Sequence, residues 1–283
     1  MRYHQLFLTI VSLWLLLGTA PLRAVELQTE TPKAQASLLA EFDSIKPGTT
    51  SYLGLHLKMQ PEWHTYWRNP GDSGLPTKLK WHSIPKGVEL DAMQWPAPSH
   101  FIVDDQVNFG YEKETVLLIP ITLTADYQGS TLAIQATASW LSCREACIRE
   151  QQPVAVELAV KASPTDRKQN PLITKAVQQL PQPLPWPTRI HYQNQTFTLM
   201  LETPQQHAAN ITHILAASNT ESLLKPAAPQ PPVFNDNSLN LTLAASPYLA
   251  GVPSQMSGLV ILYFRESEAK AYRFDEISVT EIP

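Results

Sequence analysis

Cysteine and glycine are scarce in this sequence, and long apolar runs are confined to its first residues. Only two of the 283 residues are cysteine and 10 are glycine, against 25 prolines. Such a proline content disfavours long helices and favours edge strands, turns and rigid connections. Beyond residue 24 no stretch approaches the roughly 18 apolar residues of a membrane-spanning helix, so we expect no later spanning segment.

The sequence signatures of phosphate, nucleophile and metal chemistry are also missing. There is no Gly-rich phosphate loop and no nucleophile elbow. The eight histidines include no HxH or HxxxH pair, and none stands near a cysteine in sequence. A zinc site would need ligands that folding brings together. Among metals, copper(I) is the one that the sequence disfavours least, because it binds thiolates. We predict no cofactor, no resident metal and no catalytic function outside the two cysteines.

Residues 1–24 have the pattern of a secretory signal peptide. A short basic start precedes the apolar run Leu6–Leu17 and the small residues Gly18–Ala20, and this run is short for a membrane span. We predict cleavage after Ala24, with an uncleaved anchor as the alternative. Because no cysteine follows the run, a lipoprotein is not expected. The mature chain has 19 basic and 25 acidic residues, and this net charge of −6 argues against a nucleic-acid partner.

The rest of the chain shows the two-residue alternation of β-strands. Clear examples are Ser51–Met59 and Val154–Val160, and Thr131–Trp140 leads directly to the cysteines. We predict an all-β fold of two domains, the first over residues 25–162. The second, over residues 188–283, is predicted to be a β-sandwich because short strands recur there with turns between them.

A linker over residues 163–187 is predicted to join these domains. Apolar residues from Pro171 to Leu180 have helical spacing, with Asn170 as a candidate N-cap and proline at the first helical position. The proline-rich segment 181–187 then stiffens the connection.

The only two cysteines, Cys143 and Cys147, are four positions apart. They can form a disulfide if the segment bends, so we place them on a loop between two strands. A bridge that encloses three residues restricts the unfolded chain little, and short-loop disulfides are more easily reduced. The neighbouring charges decide nothing, because arginines that favour a thiolate alternate with glutamates that oppose it. The residues alone leave a structural staple and a working redox couple equally open.

Two aromatic segments precede the cysteines. Trp63–Trp67 holds three aromatic residues and a histidine, and it can form part of the core or wall a site beside the cysteines. Trp95–Asp105 has the composition of an exposed loop that carries apolar residues. Such a loop can be a lid over a reactive site or can pack its own side chains.

Taken together, these segments resemble the periplasmic N-terminal region of DsbD-type thiol:disulfide interchange proteins, in the ScsB-like (suppressor of copper sensitivity) branch. The segments that carry the resemblance are Trp63–Pro76, Trp95–Pro98, Gly110–Tyr111 and Ser142–Ile148. The resemblance implies an immunoglobulin-like β-sandwich with both cysteines at one end, so the predicted fold becomes two such sandwiches joined by the short helix and proline-rich linker.

The resemblance also implies the site. Cys143 and Cys147 are its redox pair, Tyr66 lies near them and His64 is adjacent. Phe101, with its neighbour His100, is assigned to the segment that covers the disulfide. The family often has a proline after the second cysteine, whereas this chain has Ile148 and Arg149.

Partners and location follow from the same resemblance. The family domain receives electrons from a transmembrane partner and passes them to periplasmic thioredoxin-like proteins. This chain ends at Pro283 without a multi-span or thioredoxin-like domain, so we expect a separately encoded membrane thiol carrier as donor. The predicted function is periplasmic thiol–disulfide exchange, and the enzyme activity that fits it is that of a protein-disulfide reductase. The alternative is a non-catalytic protein-binding or copper-handling module whose disulfide is structural.

Overall fold

The computed structural model describes residues 31–103, 105–163, 167–203, 211–235, 237–265 and 268–283, and within them β-strands predominate over one short helix. The predicted signal peptide, residues 1–24, lies outside the described residues. No helix in the described part of the chain has the length and apolarity needed to cross a bilayer.

The strands of the first half lead from the described N-terminus to the cysteines and beyond. They are β1 (Ala34–Ala40), β2 (Ser44–Ile45), β3 (Thr49–Met59), β4 (His64–Gly71), β5 (Lys78–Ser83), β6 (Val88–Leu90), β7 (Ser99–Val103), β8 (Gln106–Glu112), β9 (Glu114–Leu123), β10 (Thr131–Cys143) and β11 (Cys147–Val160).

These strands form two sheets that share one core. One sheet has the order β1-β3-β9-β6, and the other has the order β2-β11-β10-β4-β8-β7, with β5 paired to β10. Alternate residues of β10 are buried from Leu132 to Trp140, and they meet buried residues of the first sheet such as Leu55 and Ile119. Each fully buried leucine or isoleucine contributes about 1.5–3 kcal/mol by leaving water. The arrangement is the predicted β-sandwich.

A short helix, α1 (Pro171–Gln178), packs on the outer face of this sandwich. The Asn170 side chain accepts a hydrogen bond from the Leu172 amide at 3.0 Å, which confirms the predicted N-cap, and Pro171 occupies the first turn. Ile173 of the helix lies in a cluster with Val116 and Leu118 of β9. Both faces of β9 are thus covered, one by the sandwich core and one by α1. This explains why the strand has apolar residues on both faces.

The strands of the second half form one continuous sheet. They are β12 (Gln182–Pro183), β13 (Thr188–Gln193), β14 (Thr196–Leu201), β15 (Ile211–Ser218), β16 (Pro232–Asn235), β17 (Ser238–Ala244), β18 (Gln255–Phe264) and β19 (Lys270–Glu281). The order in the described chain is β15-β18-β19-β13-β14-β17-β16, with β12 paired to β19. Buried residues from distant parts of this order, such as Leu199, Leu241 and Val260, share one core. The predicted all-β, sandwich-like class is confirmed.

The two halves share a wall, formed by β15 and β18. Val260 and Leu262 face the core of the second half, whereas Leu259 and Ile261 belong to the core of the first. Strand β15 divides its apolar residues in the same way. A continuous apolar run in sequence is typical of a strand that is buried on both faces.

Candidate functional site

The cysteines close a long β-hairpin. Strands β10 and β11 are paired from Thr131↔Ala159 to Cys143↔Cys147, so the two cysteines face each other across the last register pair. Their sulfurs form a disulfide, and their Cα atoms are 4.1 Å apart. The prediction of a bonded pair is confirmed, but its placement on a loop is wrong: both cysteines are strand ends, and the connecting turn is residues 144–146.

The two cysteines differ in exposure. Cys143 is 2% exposed, whereas Cys147 belongs to the exposed residues. The bend of the hairpin turn brings Cys147 to the surface while Cys143 stays against β4. A partner that approaches this end of the sandwich therefore meets Cys147 first.

Strand β4 places two aromatic side chains beside the disulfide and sends their neighbours to the core. His64 is the register partner of Cys143, and the Tyr66 hydroxyl lies 3.9 Å from Cys147 Sγ. The intervening Thr65 contacts Met59 Sδ, and Trp67 packs edge-on against Phe109 in the core. The aromatic segment is thus both wall and core, because successive strand residues point to opposite faces.

Phe101 contacts this wall from the neighbouring hairpin. The segment predicted to be an exposed loop contains strand β7, which pairs with β8. The Phe101 ring stacks on the His64 ring with centroids 5.0 Å apart, and His64 meets Tyr66 edge-on at 5.2 Å. His64, Tyr66 and Phe101 therefore form one aromatic cluster beside the disulfide.

Two glycines allow this cluster to close. A Cβ on Gly110 would lie 2.0 Å from the Thr65 carbonyl oxygen and 3.2 Å from Phe101 Cε2. Gly74 has φ +105°, and a Cβ there would lie 2.2 Å from Tyr66 Cε1. Only glycine permits such close approach, and at Gly74 such a backbone conformation.

His100 does not join the cluster. It precedes Phe101 on β7 and lines a separate cavity with Pro98, Tyr263 and Ala271. Adjacent strand residues face opposite ways, so assigning both His100 and Phe101 to one cover conflicts with strand geometry.

Burial sets the electrostatics of the cluster. Burial lowers the pKa of His64 below its ordinary value of 6.5, and the nearby Glu112 carboxylate opposes that shift. Burial also raises the pKa of Tyr66, so its hydroxyl remains a neutral donor toward Cys147. Within the described residues, the buried His64 Nε2 has no hydrogen-bond partner.

A hydrogen-bond hub behind the disulfide was not anticipated from the sequence. Glu150 Oε2 accepts hydrogen bonds from Ser142 Oγ at 2.5 Å and from Trp140 Nε1 at 3.0 Å. Its two oxygens also accept the backbone amides of Lys33 and Ala34 at 2.7 and 3.1 Å. The hub ties β1 to the cysteine hairpin. The alternation of the hairpin could have indicated it, because Trp140 and Glu150 become register partners once the cysteines are paired.

Arg144 fixes the hairpin turn from the other side. Its guanidinium lies 3.3 Å from a Glu62 carboxylate oxygen and 5.6 Å from the centroid of the Trp63 ring. Such an exposed ion pair contributes little by itself, about 0.2–1 kcal/mol. No group of three or more His, Cys, Asp or Glu side chains in the described part of the chain is arranged to hold a metal ion.

Residues 33–159 match the family model described as thiol:disulfide interchange protein DsbD, N-terminal. This segment is a DsbD N-terminal domain. The chain therefore carries a module of the thiol–disulfide interchange family, and the DsbD N-terminal domain contains all six residues predicted for the site.

One solved structure supports the fold of the DsbD N-terminal domain and extends the likeness to the second half. The N-terminal periplasmic domain of ScsB from Proteus mirabilis matches 87% of this chain and 92% of its own, with a TM-score of 0.59 and 18% identity. The match to a protein of unknown function from Porphyromonas gingivalis covers 88% of this chain and 99% of that chain at 12% identity, but its TM-score of 0.27 is too low to support a shared fold. No curated protein matches the chain in sequence.

Proposed function

We propose that the Cys143–Cys147 pair exchanges disulfides with partner proteins in the periplasm. In the reduced protein, the Cys147 thiolate attacks a partner disulfide and forms a mixed disulfide, releasing one partner thiolate. Cys143 then attacks Cys147 Sγ, releases the second partner thiolate and restores the Cys143–Cys147 disulfide. Two electrons pass to the partner in each cycle.

The difference in exposure between the two cysteines carries this proposal. A partner sulfur needs access to one cysteine only, and Cys147 is exposed while Cys143 is buried within reach of it. The stacked Phe101 ring favours a site that is covered between encounters. Membership of residues 33–159 in the DsbD N-terminal family supports the same chemistry.

The location and partners are part of the proposal. The similar ScsB domain is described as periplasmic, and the signal-peptide pattern of residues 1–24 agrees with export. We infer that a membrane thiol carrier supplies the electrons and that periplasmic thioredoxin-like proteins receive them.

A structural disulfide is the competing function, and the hairpin argues against it. The strands that the bridge joins are already paired from Thr131↔Ala159 upward. The covalent loop encloses only residues 144–146, so the bridge restricts the unfolded chain little. A structural role would therefore add little stability.

Trapping tests the proposed exchange. The Cys143→Ala variant should accumulate a mixed disulfide between Cys147 and its partner, because the resolving thiol is absent. The Cys147→Ala variant is the matched control, and it should trap far less because Cys143 is buried. Non-reducing electrophoresis of periplasmic extracts, with and without dithiothreitol, measures both. Failure of both variants to trap, together with a reduction potential below about −300 mV, would mark a structural disulfide instead.

A further inference from the structure

Four side chains lie in register across four neighbouring strands at the site. The row runs Glu112 on β8, His64 on β4, Cys143 on β10 and Cys147 on β11. Directly opposed residues of antiparallel strands project from the same face, with Cβ atoms about 4.5–5.5 Å apart. The row therefore places an imidazole between a carboxylate and the buried cysteine.

The buried cysteine needs a base in the proposed exchange. Cys143 is 2% exposed and pairs with His64, whose own ring neighbours are the uncharged Phe101 and Tyr66. A thiol buried in such surroundings remains protonated near neutral pH, whereas only the thiolate attacks a disulfide. The resolving step therefore requires a group that takes up the proton from Cys143.

His64 has the properties of that group. It is 7% exposed, and its Nε2 has no hydrogen-bond partner among the described residues. Because burial lowers its pKa, the ring is neutral at the pH at which the thiol must be deprotonated. The Glu112 carboxylate on the far side stabilises the imidazolium that results.

The other charged groups at the site lie at the hairpin turn. Arg144 is engaged by Glu62 and by the face of Trp63. On β7, Phe101 contributes an uncharged ring, and on β4 burial keeps the Tyr66 hydroxyl protonated. Among these groups, Glu112 and His64 alone combine a titratable side chain with a place in the register row of Cys143.

We propose that His64 is the base that deprotonates Cys143 during resolution, with Glu112 stabilising its charged form. This inference rests on the proposed exchange function. The proton moves from Cys143 Sγ to His64, the Cys143 thiolate forms a bond to Cys147 Sγ, and the bond from Cys147 to the partner sulfur breaks. The partner leaves as a thiolate, and His64 returns its proton to solvent or to that leaving group.

A two-phase reaction with the aromatic disulfide dithiobis-nitrobenzoate separates attack from resolution. The reduced protein releases one nitrothiophenolate when Cys147 attacks and a second when Cys143 resolves the mixed disulfide. The first phase depends on reagent concentration and the second does not, so stopped-flow absorbance measures each. In the wild-type protein, the second rate constant should level off near neutral pH and fall once the pH drops below the pKa of His64.

The His64→Gln variant should lose that plateau. Near neutral pH its second phase should be about 100-fold slower, within the range that general-base catalysis contributes. The first phase should stay within about 3-fold of wild type, because Cys147 attacks the reagent without a base. Its rate should rise about tenfold per pH unit, in proportion to the thiolate fraction of Cys143. The Glu112→Gln variant should shift the fall of the second phase to lower pH, because removing the carboxylate lowers the pKa of His64 further.

Two further variants separate a base from a structural role. His64→Phe preserves an aromatic ring against Phe101 and should lose the plateau as His64→Gln does. His82→Gln, at an exposed histidine of β5 that contacts Thr137, should retain the wild-type profile. Wild-type pH profiles in both His64 variants would overturn the base. Absence of any second phase in the wild-type protein would instead overturn the exchange function on which the inference rests.

Discussion

At the scale of single residues, the side chains of the site differ in how far they are buried. Cys143 and Cys147 are bonded to each other, yet one is buried against β4 and the other reaches the surface. His64 is buried next to Cys143, although a histidine that can become charged loses hydration there. A buried titratable group makes stability depend on pH, because it binds protons differently in the folded and unfolded chain.

Stability should fall as the pH drops below about 6.5 because of His64. Folding lowers the pKa of His64 from its ordinary value of 6.5, so the unfolded chain binds the proton more readily. The His64→Phe variant should lack this contribution. Its unfolding free energy relative to wild type should rise on acidification by at most about 1.4 kcal/mol per pH unit. Urea unfolding over a pH series measures the difference; His82→Phe is the control, and parallel curves for wild type and His64→Phe would refute the prediction.

At the scale of elements, the β7–β8 hairpin reaches the aromatic cluster through Phe101. It is the free edge of its sheet in the described chain, and Phe101 is its contact with the aromatic cluster. Ile102, the next residue, is 70% exposed, so the two faces of β7 have opposite environments. In the described chain β7 pairs with β8 on one side only, and the Phe101–His64 stacking adds about 0.5–1.5 kcal/mol beyond its buried area.

The Phe101→Ala variant should be reduced faster than wild type by dithiothreitol. Loss of the stacked ring opens the approach to the disulfide, and the rate should rise about 3- to 10-fold if the stacking energy of about 0.5–1.5 kcal/mol is removed. The rate of disulfide reduction under pseudo-first-order conditions measures the effect. Ile102→Ala is the control and should leave the rate unchanged. Equal rates for Phe101→Ala and wild type would show that Phe101 does not cover the disulfide.

How far the elements could be predicted from sequence depends on how local their cause is. The N-cap at Asn170 and the alternation of β10 are local, and both were predicted. The partner of a strand is not local: nothing in residues 95–105 specifies that β7 pairs with β8, so a strand was taken for a loop. Likewise, the family resemblance predicts that Tyr66, His64 and Phe101 lie near the cysteines. It does not predict that Phe101 and His100 face opposite ways, because that depends on the pairing of β7 with β8.

At the scale of the whole molecule, the two halves are joined through shared packing. Leu259 and Ile261 from the second half are buried in the core of the first. Asn69, at the end of the site strand β4, also donates hydrogen bonds to the carbonyl oxygens of Ser218 and Thr220, at 2.8 and 3.2 Å. The second half therefore supports the strand that carries His64 and Tyr66, although it supplies no residue of the cluster.

The Ile261→Ala variant should destabilise the first half. It removes a side chain that is 4% exposed, which costs about 2–5 kcal/mol in a core that cannot collapse. Tryptophan fluorescence reports this in a Trp186→Phe background, because Trp186 packs against the second core whereas Trp67, Trp81 and Trp140 all lie in the first half. The urea midpoint should fall in that signal. Ile282→Ala, at an exposed position, is the control, and an unchanged tryptophan midpoint in Ile261→Ala would indicate that the halves unfold independently.

The position of the disulfide at the last rung of the β10–β11 ladder has an energetic consequence. We expect its opening to leave every earlier pair, from Thr131↔Ala159 to Ser142↔Ile148, in place, because the Glu150 hydrogen bonds hold the hairpin to β1 without the disulfide. The backbone of the hairpin should therefore be the same in the oxidised and the reduced protein. In the proposed exchange, the reduction potential of the pair should therefore depend on the few groups around the disulfide rather than on the stability of the fold.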